Sequence, residues 1–144
     1  MTRSPALPAA APLRLRRLDP ALRALVEEGF ELVADHVILA RNAPTAPPWR
    51  RAMFPTAAYY EGAVNHLHVE QELESVKGRR SPRAQAVTFA YALAHALASA
   101  HPERAFDVWA VFREDSVVRF HERHGGEQGW PLTDDVAWLR VHVG

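Results

Sequence analysis

Four side chains at alternate positions, His66, His68, Glu70 and Glu72, carry the chemistry most readily legible in this chain. On an extended strand a period of two puts all four on one face, successive members about 7 Å apart. Imidazole and carboxylate together suit zinc, iron or manganese, and two histidines with one carboxylate leave coordination positions open. The candidate metal set is therefore His66, His68 and Glu70, completed by His121; His124 and His142, on or beside later strands, are of the same donor type. The competing expectation is that the four alternating residues form a solvated strand face.

Two further groups carry charge or contact area. Lys77, Arg79, Arg80 and Arg83 gather where a helix is expected to begin. A helix N-terminus carries free N–H groups and partial positive charge, so cations there repel it unless an anion joins them. These four are the candidate phosphate or nucleic-acid contact. Residues 42–58 hold prolines 44, 47, 48 and 55, which disfavour both helix and ladder. That segment displays Trp49, Arg50, Arg51, Met53 and Phe54, and tryptophan and arginine dominate contact energies at protein interfaces. They are the candidate partner-binding residues. No catalytic residue is assigned: nucleophile-elbow, HExxH, EF-hand and phosphate-loop patterns are missing, and His95 with Ser99 lacks a third member for a triad.

The elements that would position these groups follow from periodicity. Ser81-Pro82 pairs a capping side chain with proline at the first helical position, and an alanine-rich helix then runs to about His101. Phe89, Leu93, Ala96, Leu97 and Ala100 share one stripe, joined by Ala86 and Ala90. Asp19-Pro20 repeats the device and predicts a short helix over about 20–28, stopped by Gly29. Residues 30–41 read as one strand and 59–73 as a second. The segments 105–115 and 116–123 read as a hairpin, and 136–143 alternates as a last strand. A strand, a buried helix and a further strand favour a crossover that makes those two strands parallel.

The expected fold is α+β in a single domain. Its five-stranded mixed sheet, mostly antiparallel, has the long helix on one face, and the element order is α-β-β-α-β-β-β. The first 17 residues, interrupted by prolines 5, 8 and 12, are expected to be a mobile tail ahead of a domain over 18–144. After residue 60 the order βαβββ resembles, in topology alone, one module of the vicinal-oxygen-chelate fold; the resemblance implies pairing with a second copy around a metal.

Composition narrows the functional classes. Seventeen basic and seventeen acidic residues cancel, so no global field draws the protein to nucleic acid or membrane. Absence of cysteine removes disulfides and thiolate zinc sites and fits the cytoplasm. The expectation is a non-catalytic cytoplasmic protein-binding module, of the general character of small bacterial immunity or antitoxin proteins, with a homodimer also open. It needs no cofactor. The alternatives are a metal-dependent small-molecule enzyme and a phosphate or nucleic-acid binder through 77–83.

Overall fold

The computed structural model describes residues 17–73, 81–126, 130 and 136–144. The two Asp/Ser-Pro devices start helices as their chemistry requires. Asp19 Oδ1 accepts from Ala21 N at 2.9 Å and opens α1 (Pro20–Glu28); Ser81 Oγ accepts from Ala84 N at 3.1 Å and opens α4 (Pro82–Ala100). Gly29, at φ 83°, ends α1 in the left-handed region where glycine alone costs little. The two helices are tied together by Gln85, whose amide accepts from Asp19 N at 2.8 Å and donates to Arg17 O at 3.3 Å.

Four strands form the main sheet: β3 (His66–His68), β4 (Phe106–Phe112), β5 (Ser116–Glu122) and β6 (Ala137–Val143), in the spatial order β3-β5-β4-β6. Every pairing in it is antiparallel. Strands β3 and β4 do run the same way, as a crossover demands, but β5 lies between them. Phe106, Val108, Ala110, Val118, Phe120, Leu139, Val141 and Val143 face α4 and make the main core with Ala86, Phe89, Ala90, Leu93 and Leu97. Between Gln85 and Ala94 the helix is buried on nearly every side, so its alanines permit a close approach.

Two expectations about strands are corrected. Residues 30–41 are not one strand but a hairpin, β1 (Phe30–Val33) and β2 (His36–Leu39), forming a separate two-stranded sheet. Its turn, Ala34-Asp35, has φ of 48° and 68°, as a two-residue primed turn needs at both positions. Nothing in Ala-Asp advertises such a turn, since alanine disfavours that region. Residues 59–73 are not one strand either. Thr56 Oγ1 accepts from Tyr59 N at 3.0 Å and starts α2 (Ala57–Val64), β3 spans three residues, and α3 (Val69–Glu72) is a single helical turn. The sheet system is therefore six antiparallel strands in two sheets among the described residues, not five in one mixed sheet.

The segment read as an irregular connection is built from two short 3-10 helices, Ala40–Thr45 and Pro48–Met53. A second, smaller core of Ile38, Ala46, Tyr60 and Val64 sits beneath it, with Phe54 packed against it. No helix among the described residues is long and apolar enough to cross a membrane. Residues 1–16 of the expected tail lie outside the described residues.

Candidate functional site

One polar cluster is assembled from three separate segments of the chain. Glu61 of α2 is a carboxylate only 1% exposed. Its Oε2 lies 2.6 Å from His36 Nδ1, at the start of β2, and 2.9 Å from His124 Nε2, two residues beyond β5. Its Oε1 accepts from Glu122 N at 2.8 Å. The three ligand atoms of His36, Glu61 and His124 lie within 4.8 Å of one another. A buried carboxylate requires hydrogen bonds or a cation, and here it has three donors converging on it.

The surroundings are acidic on balance. Arg104 donates to Asp35 Oδ1 at 2.7 Å and to Glu122 Oε1 at 2.9 Å, bridging the residues that flank His36 and Glu61. The hydrogen bond to that guanidinium, and then its charge, hold the Asp35 carboxyl below the usual carboxylate range. Arg104 is thus taken up by Asp35 and Glu122, while the Glu61 carboxylate meets two imidazoles and a backbone N–H.

The residues singled out from sequence disperse. His66 and His68 do share a face of β3, with ring centroids 5.5 Å apart. Glu70 turns away with α3, and both its oxygens accept from Ser116 N at 2.9–3.0 Å, capping the start of β5. Glu72 is held by Arg41 in a two-pronged ion pair at 2.6 and 2.7 Å. His68 is hydrogen-bonded to Asp115. His121 is buried three residues along β5 from Val118, the partner of Leu67, and its Nε2 accepts from Trp109 Nε1 at 3.1 Å. His142 pairs with Asp107 at 2.6 Å. The expected set His66, His68, Glu70 and His121 therefore does not converge on a point, because the strand ends at His68.

On the sheet face away from α4, Arg119 lies under the Trp130 ring, 3.9 Å from its centroid, and donates to Gly62 O at 3.1 Å. Gly62 is the seat of that ring: a Cβ there would stand 2.5 Å from a Trp130 carbon. Tyr59, Val111, Arg113, Asp115, Val117, Arg119 and Trp130 line a cavity of about 310 Å³. No carboxylate among the described residues pairs with Arg119, and burial pushes its guanidinium down to about 10. Removing that uncompensated charge has a calculable effect. Arg119→Met is expected to lie within about 1 kcal/mol of the native stability at neutral pH, lost cation–π contact offsetting lost desolvation cost. Unfolded arginine keeps its proton to well above the pH at which the folded group sheds it, near 10, so the unfolded chain binds more protons in between. Native stability thus rises relative to the variant by roughly 1 kcal/mol from about pH 9 to pH 11. Denaturant titrations of both proteins at the two pH values measure it; parallel behaviour would show Arg119 to be fully solvated.

The remaining candidates sit on the surface. Trp49 is 68% and Met53 69% exposed, four residues apart on the second 3-10 helix. Arg50 donates to Thr45 O at 2.7 Å and Arg51 to Phe54 O at 3.1 Å, so their stems are tied to the turn, and among the described residues neither meets a carboxylate. Phe54 differs from its neighbours: it packs inward against Tyr60 at 5.7 Å and Tyr59 at 5.9 Å. Of the basic group, Arg83 lies over the Phe112 ring at 4.4 Å, while Lys77, Arg79 and Arg80 lie outside the described residues.

Sequence reasoning reached His124 only as a possible extra ligand and missed His36 and Glu61. Their separations of 25 and 63 residues carry no spacing signal, and Glu61 follows a Tyr-Tyr pair that reads as strand. No curated protein and no solved structure matches the chain. A family model, that of the Uncharacterized protein PM0498 family, matches residues 7–136. With nearly the whole length covered, the chain belongs to the PM0498 family.

Proposed function

We propose that this protein is a non-catalytic binding module that docks another protein through the Trp49–Met53 turn. The observation that supports it is a tryptophan and a methionine, both more than two-thirds exposed, displayed on a regular turn whose arginines are already held. Such a turn loses little conformational freedom when it binds, which favours affinity. Arg50 and Arg51, without carboxylate partners among the described residues, suit a partner whose contact surface is acidic around an apolar pocket. This is the surface expected of a small inhibitor that plugs a second protein, as immunity and antitoxin proteins do, and the reading places it in a bacterial cytoplasm.

The test is capture from the lysate of the source cells by immobilised native chain, by Trp49→Ala and by Arg50→Glu/Arg51→Glu. Loss of Trp49 is expected to weaken capture at least about 30-fold, the effect of a central anchor. It should change folding stability by no more than about 0.5 kcal/mol, as at other solvent-facing positions. Charge reversal should weaken capture further as salt falls. Equal capture by all three proteins removes the proposal; so does a Trp49→Ala chain that unfolds, which would make the indole a core residue.

A further inference from the structure

We propose that His36, Glu61 and His124 bind one divalent transition-metal ion, zinc being the best match. The inference does not depend on the docking surface, which is built from other residues. Three arguments carry it. The donors are two imidazole nitrogens and one carboxylate, the set that zinc takes in sites with an open position. They already lie within 4.8 Å of one another, with Glu61 Oε2 at 2.6 Å and 2.9 Å from the two nitrogens. A tetrahedral zinc with bonds of 2.0–2.1 Å needs ligand atoms about 3.3 Å apart, so each of the two contacts to Glu61 Oε2 must lengthen by well under 1 Å.

Charge points the same way. Arg104 is engaged by Asp35 and Glu122, so among the described residues the buried Glu61 carboxylate has no arginine or lysine of its own, and a metal cation would neutralise it. The supporting bonds are those a metal site uses. Glu122 N–H fixes Glu61 Oε1, leaving Oε2 as the ligand, and the Tyr60 ring stands edge-on to His36 at 5.1 Å and limits its rotation. The His36 and His124 side chains are 15% and 27% exposed, so one side of the cluster is open to water and to an exchangeable fourth ligand.

The experiment uses the whole chain, freed of metal with a chelator and then titrated with zinc by calorimetry and with cobalt(II) by visible absorption. The expected result is one equivalent of zinc per chain, a rise in Tm on loading, and the intense visible bands of four-coordinate cobalt. His124→Ala should weaken zinc at least about tenfold, the loss of one ligand, while His66→Ala/His68→Ala should leave affinity unchanged. Should His124→Ala fail to fold, the cobalt spectrum of the native chain decides alone, since octahedral, weakly coloured cobalt overturns the proposal. Less than about a tenth of an equivalent of zinc overturns it as well. So does affinity that survives His124→Ala or vanishes with His66→Ala/His68→Ala.

Discussion

Asn65→Ala is expected to lower the unfolding free energy by about 2–5 kcal/mol, the sum of two buried backbone groups left without partners. Asn65 is 2% exposed and stands between α2 and β3. Its Oδ1 accepts from Leu39 N and its Nδ2 donates to Val37 O, both at 2.9 Å, so the side chain pairs with β2 as a neighbouring strand would. Its own backbone carbonyl takes Phe120 N–H of β5 at 3.2 Å. One residue thus splices the two-stranded sheet to the four-stranded one, and alanine keeps only the second half of the splice. Asn65→Asp is the informative control. It retains an acceptor for Leu39 but sets a carboxylate against the Val37 carbonyl, so it should be no better than alanine. Urea titrations followed by circular dichroism read both; a loss below about 1 kcal/mol would mean that water replaces the amide at no cost.

Phe120→Ala should be as damaging, at about 3–5 kcal/mol, the usual result of emptying a phenyl site that cannot collapse. Phe120 is 1% exposed, on the α4-facing side of β5. It meets Phe30 of β1 edge-on at 5.5 Å and Phe106 of β4 at 6.5 Å, so its ring bridges the hairpin and the centre of the main sheet. Domains of this size are stable by about 5–15 kcal/mol, so such a loss consumes a large share of the total. Phe120→Leu should recover most of it, because branched carbons refill the site. A double-mutant cycle with Phe30→Leu should return a coupling of about 0.5–1.5 kcal/mol, the typical value for an edge-to-face pair. Zero coupling would show that the hairpin rests on other contacts.

Legibility in the sequence followed the strength of local physics. The two capped helices and the β4–β5 hairpin emerged with nearly their observed limits, because Asp19-Pro20, Ser81-Pro82 and the alternating Phe106-to-Phe120 run encode their own boundaries. Strand β6 was equally plain. The misreadings occur where neighbouring segments override local preference. Ala34-Asp35 adopts positive φ without glycine, so one apparent strand hides a tight reversal. Tyr59-Tyr60 favours strand by itself, yet the Thr56 cap and burial against Ile38 and Val64 hold it helical. The polar alternation from His66 to Glu72 holds only to His68, since Glu70 is drawn into the cap of β5. The candidate site suffered most from these errors. Two of its three donors belong to exactly those misassigned segments, and their meeting depends on sheet order, which no short stretch of chain records.

The splice at Asn65 also bears on how the two sheets are joined. The hairpin β1–β2 shares no ladder with the larger sheet, so side chains hold it there: the Asn65 amide, Phe30 against Phe120, and the buried Val37 and Leu39. His36 belongs to that hairpin, whereas Glu61 and His124 lie on α2 and beyond β5. A cation held by all three would therefore add a further cross-link between the small sheet and the large one.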